Sequence, residues 1–129
     1  MPREIINTNR APAAVGAYSQ AVRVGDFVFV SGQIPLNPET GEIVFADIKE
    51  QTERILVNIR NILQAAGMGL EDVVRTTVYL ELMDDLSRVN EVYGRFFGEN
   101  PPARAAVEVA RLPKDVAIEI DAIAYKKAE

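Results

Sequence analysis

Two short apolar runs near the start of the chain predict a β-hairpin. Residues Ser19 to Val24 and Phe27 to Gly32 are rich in β-branched and aromatic side chains. They are separated by Gly25-Asp26, which suits a two-residue turn because glycine accepts a positive φ. The two prolines and the glycine between Ile34 and Gly41 then predict a turn-rich loop.

Apolar residues at helical spacing predict two helices farther along the chain. The first begins at Asp47, a suitable N-cap, and ends before Gly67. The second is capped by Asp84 or Asp85 and ends at Gly98. The apolar stripes are Ile48, Ile55, Leu56, Ile59, Ile62 and Leu63 in the first helix, and Leu86, Val89, Tyr93, Phe96 and Phe97 in the second.

Three further strands complete the pattern, over Val73 to Leu82, Arg104 to Val109 and Val116 to Tyr125. The order is β-hairpin, helix, strand, helix and two strands. We therefore predict an α+β fold, with a mixed β-sheet and two helices on one of its faces. Residues 1–129 are expected to form a single domain.

The second face of this sheet lacks a predicted cover. In Phe27-Val28-Phe29-Val30, successive side chains point to opposite faces, so both faces of the strand present large apolar groups. Two helices cover only one face. A large exposed apolar patch is unusual in a monomer, so we expect a homo-oligomer with its sheets turned inward.

Composition narrows the chemistry. The chain has 129 residues, a net charge of −5, and neither cysteine nor histidine. A thiolate nucleophile, an imidazole base, a Ser-His-Asp triad and a zinc finger are therefore excluded, and no metal site is expected. The acidic balance disfavours nucleic-acid binding. Without a signal-like N-terminus or an apolar window of membrane length, the protein is expected to be cytoplasmic.

Two charged residues stand out on the last strands. Arg104 shares a strand face with small residues, so it is either a bidentate clamp for a carboxylate or phosphate, or a strand-end ion pair; spacing alone favours the ion pair. Glu119 projects with Asp121 to the face opposite Ile118 and Ile120. It is either a general base for water or one half of a salt bridge across the sheet.

Three polar residues have a ligand-binding and a structural interpretation. Asn90 lies on or beside the inward stripe of the second helix, where its amide either bonds a ligand or ties the helix to a strand or loop. Tyr18 and Ser31 lie where a strand meets a loop. Each either approaches a ligand or serves as a core phenol or a turn hydroxyl, respectively.

Five segments carry a resemblance to a known family: GAYSQA from Gly16, SGQIP from Ser31, VNEVY from Val89, PARAAVEVARLP from Pro102 and IEIDA from Ile118. Together they resemble the RidA/YjgF/UK114 family over essentially the whole chain. The resemblance implies a chorismate-mutase-like subunit in a homotrimer with a central barrel and ligand sites between subunits. It also implies a cofactor-free deaminase that hydrolyses 2-iminopropanoate and 2-iminobutanoate, released by pyridoxal-phosphate dehydratases, to 2-keto acids and ammonia.

The resemblance also assigns roles to single residues. Arg104 would hold the substrate carboxylate and Glu119 would activate water, while the backbone at Ala106 would bond the imino nitrogen or the adduct. The remaining residues expected to line the site are Tyr18, Ser31, Gly32, Leu86 and Asn90. Leu86 stands where the family often has phenylalanine, Ala106 where it often has cysteine, and Ala17 where it often has proline; the leucine is expected to reshape the pocket.

Two other functions compete with imine hydrolysis. A non-catalytic regulatory module would bind a carboxylate metabolite in the same clefts. Relatives have also been described as ribonucleases or translation inhibitors, an activity that the acidic charge and the lack of histidine support poorly.

Overall fold

The computed structural model describes residues 2–128. Over that range, six strands form one mixed sheet in the order β1-β2-β3-β6-β4-β5, and only the β4/β5 pair is parallel. The elements are β1 (Glu4–Ile6), β2 (Ala21–Val24), β3 (Phe27–Gln33), α1 (Ile48–Ala65), β4 (Val73–Leu80), α2 (Leu86–Phe97), β5 (Ala103–Glu108) and β6 (Ile118–Tyr125). This confirms the predicted α+β architecture.

Local sequence signals explain the hairpin and the first helix. Val24 pairs with Phe27 across a turn in which Gly25 has a φ of 59°. The Asp47 carboxylate caps α1 by accepting a hydrogen bond from the Glu50 amide at 3.0 Å. Gly67, with a φ of 77°, ends the helix in a left-handed turn, as predicted.

The structure differs from the prediction at several boundaries. Strand β1 was not predicted because it has only three residues. Asp85 precedes α2 but makes no cap hydrogen bond; its carboxylate pairs with Arg88 instead. Strand β6 begins at Ile118 rather than at position 116, because residues 113–115 form a 3-10 turn with Lys114 and Asp115 at φ 56° and 57°.

The core lies between the helices and one face of the sheet. Alternate residues of β3, β4 and β6 are buried there, including Val28, Val78 and Ile120. The other face carries Phe27, Phe29 and Tyr125, which are 41%, 44% and 40% exposed and whose rings lie 5.0 to 6.2 Å apart. The uncovered apolar face predicted from β3 is therefore confirmed. Within residues 2–128, neither helix is both long enough and apolar enough to span a bilayer.

Candidate functional site

A cavity of about 500 Å³ opens beside the end of β3. Among the residues that line it are four predicted site residues: Tyr18, Ser31, Gly32 and Glu119. Tyr18 is exposed at the cavity, and its hydroxyl accepts a hydrogen bond from the Val15 amide at 3.3 Å. The interpretation of Tyr18 as a core phenol is therefore wrong.

A bulge in β3 brings Glu119 close to the backbone. Val30 pairs with Ala122 and Gln33 with Ile120, so two residues, Ser31 and Gly32, lie opposite a single residue of β6. The Ser31 hydroxyl donates to the Ser19 carbonyl at 2.6 Å, which fixes the bulge. A Cβ on Gly32 would lie 2.8 Å from the carboxyl carbon of Glu119. Glycine is therefore the residue that lets the carboxylate occupy this place.

The Glu119 carboxylate is half-buried and forms no ion pair with any residue in the described range. Burial raises its pKa above the usual value for a glutamate, and the negative charge of Asp121 raises it further. The structure therefore does not support the salt bridge that we considered for Glu119. A partly desolvated carboxylate next to a cavity is suited to take a proton from water.

Tyr79 and Thr77 lie on β4, beside Glu119 and Asp121 of β6, and were not predicted as site residues. The Tyr79 hydroxyl donates to Oδ2 of Asp121 at 3.0 Å, and the Thr77 amide donates to Oδ1 at 3.1 Å. Burial and the hydrogen bond to Asp121 raise the pKa of Tyr79, so its hydroxyl remains a donor at neutral pH. The alternation of β6 placed Asp121 on the face of Glu119, but it could not identify the partner strand.

Arg104 lies on β5, at the opposite edge of the sheet from β1, and its side chain is on the helix side. Its Nη1 donates to Oδ1 of Asn90 at 2.7 Å, and its guanidinium carbon lies 4.9 Å from the centre of the Tyr93 ring. The Tyr93 hydroxyl in turn shares a buried hydrogen bond of 2.7 Å with Thr76. These contacts hold the guanidinium in place at an exposed position.

The strand-end ion pair that spacing favoured for Arg104 is absent, since no acidic group in residues 2–128 lies within salt-bridge distance of it. Asn90 is exposed rather than inward-facing, and it ties α2 to β5 through Arg104. Tyr93 is buried, as its helical spacing predicts for a core residue. Its ring also packs against the Arg104 guanidinium, a contact that the spacing did not predict. The remaining guanidinium donors are free to bind an anion.

Ala106 and Leu86 complete this part of the molecule. The Val109 amide donates to the Leu80 carbonyl, so the odd-numbered backbone groups of β5 face β4. By alternation, the amide and the carbonyl of Ala106 point to the open edge, as a backbone contact to a ligand requires. Leu86 is half-buried at the start of α2 and packs against the core.

The eight predicted site residues thus form two groups in one chain. Glu119 pairs with Tyr79, which pairs with Val107, three residues beyond Arg104. The Cα atoms of Arg104 and Glu119 are therefore about 14 Å apart, and the side chains project to opposite faces of the sheet. Arg104, Asn90, Leu86 and Ala106 do not line the cavity of Glu119. In the described part of the chain, no cluster of three acidic, cysteine or histidine residues is placed to hold a metal ion.

Comparisons with known proteins agree with this architecture. The Endoribonuclease L-PSP family model matches residues 8–126. A RutC family protein of Pyrococcus abyssi is 60% identical over 98% of this chain and 100% of its own. The crystal structure of RidA from the Antarctic bacterium Psychrobacter sp. PAMC 21119 matches with 47% identity and a TM-score of 0.92, over 95% and 99% of the two chains.

A further solved structure holds a ligand. Escherichia coli TdcF with bound serine matches with 47% identity and a TM-score of 0.92, over 96% of this chain and 99% of that chain. The name of TdcF assigns it provisionally to the reactive intermediate deaminases. Because the family model spans most of the chain and the identities are high, the chain belongs to the Endoribonuclease L-PSP family, which is the family of RidA and TdcF that its motifs predicted.

Proposed function

We propose that the protein hydrolyses reactive 2-imino acids to 2-keto acids and ammonia. The observation that carries this proposal is the Arg104 guanidinium, held by Asn90 and Tyr93 and without an acidic partner in the described range. A planar guanidinium in this state is suited to grip the carboxylate that every 2-imino acid carries. Kinship with TdcF and RidA supports the same chemistry.

The proposed active unit is a homotrimer with sites between subunits. Arg104 and Glu119 cannot meet within one chain, since they lie on opposite faces of the sheet. The apolar face with Phe27, Phe29 and Tyr125 continues the surface on which Glu119 lies, and it suits burial against a second copy. Such an association would bring the β5 edge of one copy to the Glu119 cavity of its neighbour.

The proposed reaction needs orientation rather than a strong nucleophile. A protonated imine is already electrophilic at carbon. Arg104 holds the carboxylate, and Glu119 takes a proton from water as the water oxygen forms a bond to the imine carbon. Glu119 then returns its proton to the nitrogen of the adduct, the C–N bond breaks as ammonia leaves, and the hydroxyl oxygen loses its proton to become the keto group.

The groups around these two residues have supporting roles in the proposal. The outward amide or carbonyl of Ala106 bonds the nitrogen of the imine or adduct, and Asn90 keeps Arg104 in position. Tyr18, Ser31 and Gly32 shape the cavity. We propose 2-iminopropanoate and 2-iminobutanoate as substrates, with pyridoxal-phosphate dehydratases as their source and the cytoplasm as the location. Leu86 is proposed to influence the accepted side chain.

The direct test measures release of 2-keto acid when the protein is added to a threonine dehydratase reaction. We expect Arg104→Ala to remain folded and to abolish the acceleration. Arg95→Ala, which removes an exposed arginine of α2 outside the proposed site, is the matched control and should match the wild-type rate. Equal acceleration by Arg104→Ala and the wild type would refute the assignment.

A mixing experiment tests the shared site. Chains with Arg104→Ala and chains with Glu119→Gln should each be inactive alone, but random co-assembly of equal amounts pairs the two intact groups in about a quarter of the interfaces. We therefore expect about a quarter of the wild-type activity after co-refolding. No recovery, with mixed assemblies demonstrated by native mass spectrometry, would contradict a site built from two chains.

A second candidate function is binding without turnover. The serine bound to TdcF shows that a relative holds a small amino acid. Saturable binding of 2-keto acids or serine to this chain, with no acceleration of imine hydrolysis, would favour a regulatory module. RNA cleavage, which the name of the family model suggests, has less support because the chain has a net charge of −5 and no histidine.

A further inference from the structure

Asp121 is a half-buried carboxylate whose place is determined by two donors. Its Oδ2 accepts a hydrogen bond from the Tyr79 hydroxyl at 3.0 Å, and its Oδ1 accepts one from the Thr77 amide at 3.1 Å. Both donors come from β4, the neighbouring strand. Because each carboxylate oxygen has its own donor, the side chain cannot turn without losing a bond.

The same contacts place this fixed charge next to Glu119. Asp121 and Glu119 lie two residues apart on β6, so their side chains project from one face with Cα atoms about 7 Å apart. Tyr79 is also the direct cross-strand partner of Glu119. Although the Asp121 backbone lies opposite the Gly32 bulge, its carboxylate is bonded to β4, so this carboxylate and the Tyr79 ring lie on the β4 side of Glu119 and Gly32 lies on the β3 side.

We propose that Asp121, held by Tyr79 and Thr77, is a positioning residue that keeps the Glu119 carboxylate over Gly32 and strengthens it as the base that takes a proton from water. This inference rests on the proposed function and adds to it a residue that never touches the substrate. The geometry gives the reason: like charges repel, so the fixed Asp121 carboxylate favours positions of Glu119 toward the cavity.

The electrostatic effect of Asp121 on Glu119 also supports this role. Burial raises the pKa of Glu119, and the charge of Asp121 adds to that increase. A carboxylate with a raised pKa is a better proton acceptor near neutral pH, provided that it is still ionised there. Tyr79 contributes a hydroxyl rather than a charge, since its own pKa is raised by burial and by the bond to Asp121.

Several titratable groups face Glu119 from the surrounding elements. Tyr79 lies on β4 and Asp121 on β6, while Tyr18 and Lys114 reach the same cavity from two loops. Arg75 lies on the same face of β4, four residues from Tyr79. In the proposed trimer, Arg104 of a second copy approaches as well. A test must therefore compare variants that differ only in the charge at position 121.

The experiment uses Asp121→Asn, which removes the charge but keeps an oxygen for hydrogen bonding, and Tyr79→Phe, which keeps the charge but removes the hydroxyl. Asp121→Ser is a second neutral variant in case the first folds poorly. Glu53→Gln on the exposed face of α1 controls for net charge. Two quantities are measured on the assembled protein: the pH profile of kcat/KM in the dehydratase-coupled assay, and the carboxyl ¹³C titration of Glu119, assigned with Glu119→Gln.

In Asp121→Asn we expect the Glu119 titration and the acidic limb of kcat/KM to move together to lower pH, and the plateau to fall by up to about 100-fold because Glu119 is then a weaker and less well positioned base. Tyr79→Phe should show no such downward movement, and Glu53→Gln should match wild type. An unmoved Glu119 titration in both neutral variants, or a loss of activity with an unmoved acidic limb, would overturn the proposal. If the wild type accelerates no imine hydrolysis, the proposed function fails, while the ¹³C titration still reports the effect of Asp121 on Glu119.

Discussion

Replacing Gly32 with alanine tests the position of the Glu119 carboxylate with a single methyl group. The added Cβ would lie 2.8 Å from the carboxyl carbon and 3.2 Å from Cγ of Glu119, whereas carbon atoms in contact are normally about 3.5 to 4.0 Å apart. The carboxylate must therefore move by about 1 Å. A displacement of this size at a reacting group lowers the rate by about 100-fold.

The fold should tolerate this change. The φ of Gly32 is not in the left-handed region, so alanine fits the backbone, and the group that must move is the end of a flexible side chain. We expect a loss of less than about 1 kcal/mol in the free energy of unfolding. Activity and stability should therefore separate, with kcat reduced by about two orders of magnitude in a protein that unfolds almost as the wild type does.

The assay is 2-keto acid release in the dehydratase-coupled reaction, with urea unfolding measured on the same samples. Gly94→Ala on α2 is the control because a Cβ there meets nothing within 4 Å. It should keep the wild-type rate and gain about 0.5 to 1 kcal/mol in stability, as expected for a helical glycine. If Gly32→Ala keeps the wild-type kcat, the reasoning that ties catalysis to the present position of Glu119 is wrong.

Three further predictions concern a buried hydrogen bond, the exposed apolar face and the Glu119 carboxylate. Tyr93→Phe leaves the buried Thr76 hydroxyl without its partner, so urea unfolding should show a loss of about 1 to 3 kcal/mol, while the ring still supports Arg104 and most activity remains. Phe29→Asp places a charge on the exposed apolar face, and sedimentation should show smaller assemblies than for the wild type; an unchanged assembly would remove this face from the interface. The pKa of Glu119 is higher in the folded than in the unfolded protein, so ionisation of Glu119 destabilises the fold as the pH rises above its unfolded-state pKa. Glu119→Gln should therefore unfold at a higher temperature than the wild type at pH 7. This difference should vanish below about pH 4, where the carboxyl group is protonated in both states.

Local signals explain why the fold could be predicted. The Gly25 turn and the Asp47 cap each act within a few residues, and the structure has both where the sequence placed them. Other signals were less reliable. Asp85 satisfies the pattern for a cap, but Arg88 competes for its carboxylate, and nothing in the apolar pattern marks three residues as an edge strand such as β1.

The sequence predicted on which face of the sheet the candidate residues lie, but not what they contact. Strand alternation placed Glu119 and Asp121 on one face, since period two needs no knowledge of neighbours. It could not indicate that Tyr79 pairs with Glu119 or that Tyr93 lies beneath Arg104, because both relations depend on β4 and α2 taking their places beside other strands. Spacing favoured an ion pair for Arg104 for the same reason: the neighbouring side chain is an amide from another element.

The division of the site and the uncovered apolar face are two consequences of one sheet topology. Strand β4 lies between β6 and β5, which keeps Glu119 and Arg104 apart, while the absence of a helix over the face of Phe29 in the described chain leaves room for another molecule. In the proposed trimer, the surface that hides these aromatic rings also completes the site. Weakening that surface should therefore reduce activity even though Phe29 touches no substrate, and the loss should become smaller as protein concentration rises and assembly is restored by mass action.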